Sequence, residues 1–202
     1  MSIRKGRWWG SWRHFAKLLV LSISLDCAWA VDRAVPSPSS HAIGEQLFVP
    51  IGGIEQWVTI KGQDAGNPVV LYLHGGPGNV MSPFADAFFK SWWRHLTLVM
   101  WDQRGAGRTY GKTGPSVEPT MTIDRLAQDG IEVAEFLTKH LHKKKVILVG
   151  ASWGSILGVH MAKMRPDLFC AYVGTAQDVN IQANFAAAYP RLLALARAAA
   201  DQ

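Results

Sequence analysis

Two cysteines, Cys27 and Cys170, are all that this 202-residue sequence carries, so disulfides cannot be what holds it together. Should the first thirty residues be removed on export, only Cys170 remains and no internal bridge can form. An oxidising compartment does not oblige a chain of this size to use one. Internal repeats and fibre-like or disordered composition are also missing, as is any apolar run of the ~20 residues that a membrane span needs. Charged residues are sparse at 18 %, whereas hydrophobic residues reach 49 %, enough for one substantial core but not for two comfortable domains.

The net charge of +6 is mostly a property of the amino terminus. Arg4, Lys5, Arg7, Arg13 and Lys17 lead into the largely apolar run Phe15 to Leu25, and Ala28-Trp29-Ala30 offers a small-x-small cleavage site. Cleavage after Ala30 takes five basic residues and Asp26 with it and leaves 16 basic against 14 acidic, a net charge of +2. A mature chain so near neutrality has no basic footprint for nucleic acid. The expectation is an exported, periplasmic or secreted protein with no membrane attachment once the signal is gone. The alternative is an uncleaved membrane anchor, for which Trp8, Trp9, Trp12 and Trp29 supply interfacial residues. Asp26 directly before Cys27 argues against a lipid-attachment cysteine.

Residues 31–44 have linker composition, with Pro36, Ser37, Pro38, Ser39 and Ser40. Gln46 to Ile51 and Glu55 to Ile60 then alternate polar and apolar around Gly52-Gly53, the pattern of an antiparallel hairpin. From Val69 the pattern changes to continuous apolar runs, Val69 to Leu73, Leu96 to Trp101, Val146 to Val149 and Phe169 to Val173, as in strands covered on both faces. Between them, helices are expected over Ser82 to His95, over Thr122 to about Leu141 with Thr122 as cap, and over Trp153 to Met164. Glu135 stands four residues before Lys139, a spacing for an exposed pair, and Lys143-Lys144-Lys145 reads as a solvated basic turn. Residues 106–120 are expected to be a loop, and Asn184 to Gln202 a helix or two. Cys170 is expected in the core. Strands alternating with helices from 69 to 173 imply parallel pairing in a doubly wound α/β sheet, whose active sites gather at the carboxyl ends of the strands.

Three motifs fall at such ends. Gly150-Ala151-Ser152-Trp153-Gly154 follows an apolar strand and precedes a helix, the context of a nucleophile elbow in which a sharp turn forces the serine into a strained conformation. A serine hydroxyl attacks a carbonyl well only when a base takes its proton and donors receive the oxyanion. One donor is the backbone N–H of Trp153. The other is expected from His74-Gly75-Gly76-Pro77-Gly78, where Gly75 and Gly76 let the backbone approach substrate. The third motif, Asp102 to Thr109, is no dinucleotide fingerprint, because the third glycine is out of register and no helix is expected after it; nor is it read as a phosphate-binding loop. Its expected role is to brace the site through Asp102 and Arg104.

These motifs, in this order and spacing, resemble those of the α/β-hydrolase fold and specifically the proline iminopeptidase branch of the alpha/beta serine hydrolases, over residues from about 45 to 200. The resemblance implies Ser152 as nucleophile, Gly76 and Trp153 as oxyanion donors, and His74 and Gly75 as support. It implies release of an amino-terminal residue, often proline, from small peptides, with no metal and no organic cofactor. Ester hydrolysis is the alternative chemistry. The sequence divides accordingly into a signal peptide at 1–30, a linker at 31–44, a partial alpha/beta-hydrolase core at 45–178 and the start of a helical cap at 179–202. Oligomeric state leaves no trace in it.

What the resemblance demands and the sequence lacks is the rest of the triad. In this fold an Asp or Glu and then a His follow the serine on later strand-end loops. After Ser152 the one histidine is His160, eight residues into the following helix and so about 12 Å along its axis from the serine. Asp167, Asp178 and Asp201 follow no recognisable later strand. The family's pattern would continue past Gln202, so the expectation is a C-terminally truncated chain with little or no turnover, its rival being a non-catalytic remnant or binding module of the same fold.

Overall fold

The alternating segments near the amino terminus form the expected hairpin. Strands β1 (Ile43–Ile51) and β2 (Ile54–Gly62) pair antiparallel, with Ile51 opposite Ile54 and Ile43 opposite Gly62. The turn uses Gly52 (φ 56°) and Gly53 (φ 77°), the two successive positive φ values that a two-residue hairpin turn requires. The computed structural model describes residues 42–199. The segment read as a signal peptide, most of that read as a linker and the last three residues lie outside the described residues, and β1 opens at Ile43, just inside the stretch assigned to the linker.

Beyond the hairpin the chain alternates strand and helix: β3 (Val69–Leu73), α1 (Ala85–Phe89), β4 (Thr97–Asp102), α2 (Gly107–Thr113), α3 (Ile123–His140), β5 (Val146–Ala151), α4 (Trp153–Met164), β6 (Phe169–Thr175) and α5 (Ile181–Ala198). The six strands make one sheet in the order β1-β2-β4-β3-β5-β6. β3 runs parallel to both β4 and β5, β6 is parallel to β5, and β2 joins β4 antiparallel.

The continuous apolar runs are explained by two cores. Along β3, Val69, Leu71 and Leu73 point into one cluster and Val70 and Tyr72 into the other. β4 and β5 divide in the same way, with Val99, Trp101, Val146 and Leu148 on the first side and Leu98, Met100, Ile147 and Val149 on the second. The first cluster is closed by α3 and α4 through Leu126, Ile131, Leu137, Leu157 and Met161. The second is closed by Ala85, Phe89, Trp92 and Trp93. Each such side chain removed from water contributes about 1.5–3 kcal/mol before the cost of ordering it.

Three expectations need correction. Ser82 to His95 is not one helix: α1 spans five residues between 3-10 segments Ser82–Phe84 and Lys90–Arg94, because the segment bends to lay Phe89, Trp92 and Trp93 against the sheet. Residues 106–120 are not a loop but α2 followed by a 3-10 segment, Gly114–Thr120. Glu135 pairs with Arg165 Nη1 at 2.5 Å rather than with Lys139, and Lys143 of the basic turn donates to the Gly66 carbonyl at 2.8 Å, its pKa lowered by burial. Thr122 does cap α3, accepting the Arg125 N–H at 3.1 Å. Cys170 is half-buried on β6.

Candidate active site

Ser152 joins β5 to α4 with φ 50° and ψ −118°, a region costly for any residue with a side chain. The turn is tight enough to dictate its flanks. A Cβ on Gly154 would overlap the Leu73 carbonyl and stand 2.8 Å from the His74 carbonyl oxygen, and one on Gly150 would overlap the Gly154 carbonyl. Three hydrogen bonds hold the strained residue. Its N–H donates to the Thr175 carbonyl at the end of β6 (2.9 Å), and its own carbonyl accepts both the N–H (2.8 Å) and the hydroxyl (2.6 Å) of Ser155. The side chain stands exposed at the carboxyl end of the sheet. The Trp153 N–H, at the first position of α4, has no acceptor within the helix.

The glycine-rich loop after β3 lies against this turn. A Cβ on Gly75 would stand 3.1 Å from the Ala151 carbonyl oxygen and 3.4 Å from Ser152 Cβ. Gly76 has φ 115°, and its Cα faces the backbone nitrogens of Gly78 and Asn79, within 2.8 Å of where a Cβ would be. The Asn79 N–H closes the loop on the Gly75 carbonyl at 3.0 Å. His74 anchors it from below. It is 1 % exposed, its Nδ1 bonds the Gly75 carbonyl at 3.0 Å, and its Nε2 accepts the Gln103 N–H at 3.4 Å. That pattern assigns the proton to Nδ1. Burial lowers the His74 pKa below its ordinary 6.5, against the smaller opposing effects of the Gly75 carbonyl and the Asp102 charge.

Asp102 and Arg104 brace this loop. Asp102 accepts the Ser82 hydroxyl at 2.6 Å and the Arg108 N–H at 2.9 Å, and so caps the start of α2. This tertiary cap is why a helix forms among residues whose composition suggests a loop. Arg104 is buried and forks onto Asp129 of α3 (Nε to Oδ2 2.7 Å, Nη2 to Oδ1 3.2 Å), the Gly52 carbonyl (2.7 Å) and Thr120 Oγ1 (3.1 Å). Arg125 adds a second cation on Asp129, and Glu132 joins Arg125 to the Gly52 N–H. Between Asp102 and Arg104, Gln103 completes the link by donating its side-chain amide to the His74 carbonyl at 3.4 Å. A helix thus follows this motif, contrary to expectation, although the glycine register still excludes a dinucleotide fingerprint. The triplet Gly111-Lys112-Thr113 matches the end of a phosphate-binding loop, but Ala106 occupies its required first glycine and the triplet ends a helix instead of starting one. Lys112 is engaged with Glu55 and the Phe48 ring.

The structure therefore brings together Ser152, Trp153, His74, Gly75 and Gly76, with Asp102 and Arg104 behind them. It places no described histidine where it could take the Ser152 proton. His74 is committed to its own loop. His95, His140 and His142 precede β4 and β5 and so lie at the opposite end of the strands, His140 against Glu45. His160 is exposed two turns along α4. Among the described residues no group of three or more His, Cys, Asp or Glu is placed to hold a metal ion, and no helix is long and apolar enough to cross a membrane.

Sequence reasoning missed Thr175 and Tyr172, which hold the elbow from β6, and the bonding of Ser155, the residue that follows Gly154 in the elbow motif. Ser155 bonds Ser152 and accepts the Asp178 N–H at 3.2 Å; Tyr172 donates its hydroxyl to the Ser155 carbonyl at 2.8 Å. Nothing in the residue pattern marks Thr175 and Tyr172, since their partners are backbone groups of Ser152 and Ser155, outside their own strand. Asp129 was legible in principle, standing four residues after Arg125 on the buried stripe of α3.

Comparison with known proteins agrees with this fold. Over 158 residues the chain is 40 % identical to a probable aminopeptidase of Bacillus subtilis, covering 78 % of this chain and 48 % of that protein. Over 147 residues it is 32 % identical to a probable proline iminopeptidase of Streptomyces coelicolor, covering 72 % and 43 %. The chain thus spans about half the length of the curated relatives it matches. Among solved structures it resembles an epoxide hydrolase from Vigna radiata (30 % identity, TM-score 0.52, 65 % of this chain and 38 % of that one). It also resembles a proline iminopeptidase-related protein from Thermus thermophilus (25 % identity, TM-score 0.53, 68 % and 46 %). Residues 68–195 match the alpha/beta hydrolase fold family, which begins at β3 and takes in both the glycine-rich loop and the elbow: the chain belongs to that family.

Proposed function

We propose that this chain carries the nucleophile and oxyanion donors of a serine hydrolase of the proline iminopeptidase type, which releases amino-terminal residues, proline among them, from small peptides through an acyl-enzyme on Ser152. The observation that carries the reading is the conformation of Ser152, strained at φ 50° between two glycines that admit no side chain. The two similar proteins named as aminopeptidase and proline iminopeptidase support the substrate class.

In this reading Ser152 Oγ attacks the carbonyl carbon of the first peptide bond while a base takes its proton. The carbonyl oxygen becomes an oxyanion received by the N–H groups of Trp153 and Gly76, beside the positive end of α4. Collapse expels the shortened peptide as an amine, which takes up the proton, and water then releases the amino acid from the ester. Each oxyanion donor is worth ~10²-fold or more in rate. With no described histidine in reach of Ser152, the chain alone is expected to turn over substrate at or near background. The signal pattern of residues 1–30 makes export part of the proposal.

A fluorophosphonate probe tests it. Labelling of the purified chain, located by mass spectrometry, is expected on Ser152 ahead of its other serines, slowly, and absent in Ser152→Ala. Labelling spread evenly over exposed serines would remove the basis for the reading.

A further inference from the structure

At the end of the sheet opposite Ser152 lies a cleft of about 480 Å³ lined by Gln63, Lys90, Ser91, Arg94 and His95. We propose that this cleft binds a phosphoryl oxyanion. Its position separates it from the chemistry: Gln63 follows β2 and His95 precedes β4, so the length of β4, about 20 Å at 3.3 Å per residue, lies between it and the strand ends that carry the elbow.

The wall of the cleft is fixed. The Gln63 N–H donates to the Trp93 carbonyl (2.8 Å), the His95 and Leu96 N–H groups both donate to the Trp92 carbonyl (2.9 Å each), and Asn67 Nδ2 donates to the Arg94 carbonyl (3.3 Å). Trp92, Trp93 and Leu96 pack beneath against the second core. The five lining residues carry a guanidinium, an ammonium, a hydroxyl, an amide and an imidazole at their ends, and no carboxylate is among them. Among the described residues no Asp or Glu pairs with Lys90 or Arg94, whereas neighbouring Lys61 is neutralised by Asp86 at 2.5 Å. Two neighbouring cations and several donors suit a phosphate monoester, with a charge of about −1.5 to −2 and three acceptor oxygens, better than a single carboxylate. All five residues are exposed, so screening keeps the affinity modest and salt-dependent.

The ligand's source is either a soluble phosphate compound or a lipid headgroup; Phe88, 67 % exposed and close in sequence to Lys90, is the apolar side chain whose replacement tests the lipid case. The test is a two-dimensional amide NMR titration of the full chain with inorganic phosphate at low ionic strength, matched against chloride, together with sedimentation on phosphatidylglycerol and phosphatidylcholine vesicles. Expected are saturable shifts at residues 63 and 90–95 with Kd of about 1 mM or tighter. The Lys90→Gln/Arg94→Gln double variant should weaken binding about tenfold or more, with its fold verified by near-UV circular dichroism. Vesicle binding that needs phosphatidylglycerol and is lost in that variant and in Phe88→Ser assigns the source to lipid; phosphate binding without it assigns a soluble ligand. Phosphate shifts no larger than those from chloride with no phosphatidylglycerol-dependent sedimentation, or binding that survives the double variant unchanged, would overturn the proposal.

Discussion

The two flanks of β5 are built differently. Toward β3, β4 and β2 the sheet is covered on both faces, and a buried Arg104–Asp129 pair ties the hairpin turn to α3. Toward β6 the cover ends. Val173 is 48 % exposed, α5 buries none of its residues, and Phe185 stands 69 % exposed. No charge or proline interrupts Phe169–Thr175, the devices by which edge strands are usually protected. Ser152 sits on the seam. The glycine-rich loop beside it is fixed from the covered flank, while the Ser152 N–H is held by the Thr175 carbonyl at the end of β6. The strained turn at Ser152 is thus held from both flanks, although only one of them is covered on both faces.

The largest effect is expected on the covered side. Asp129→Asn leaves two cations without their shared partner and should cost about 3–5 kcal/mol, seen as a large fall in the urea midpoint. A loss under about 1 kcal/mol would show that this flank is not held by the pair. Next comes the seam. Gly154→Ala forces the elbow away from the Leu73 carbonyl and should cost about 1–3 kcal/mol while also abolishing selective phosphonylation of Ser152.

His74 gives a smaller effect, set by pH. Its folded pKa is lowered, so between its ordinary value of 6.5 and that lower value the unfolded chain binds more protons. Stability from this group is therefore full above pH 6.5 and declines as pH falls through the window, by at most about 1.4 kcal/mol per pH unit. His74→Asn should flatten that part of the stability curve. On the open flank Leu192→Ala should change stability by no more than about 0.5 kcal/mol, because Leu192 is exposed on α5. A loss comparable to a core leucine would mean that α5 is packed after all.

Much of this was readable from residues alone. The hairpin, four parallel strands and α4 follow from alternation, apolar runs and a glycine-flanked serine, since each is a local pattern with one physical interpretation. The elbow was legible because tight backbone approach leaves only glycine as a solution at 150 and 154. What escaped was fixed by contacts that no periodic pattern announces, some local and some between elements. α2 exists because Asp102 caps it from β4, Ser82 to His95 bends to meet the sheet, and Ser155 and Thr175 hold Ser152 through backbone atoms.

The most direct test of a nucleophile without its base is hydrolysis of L-proline 4-nitroanilide by the purified 202-residue chain and its Ser152→Ala variant. The account predicts rates that are indistinguishable and close to background. Ready release of nitroaniline by the wild-type chain, lost in Ser152→Ala, would contradict it, because some group in this chain would then be taking the Ser152 proton.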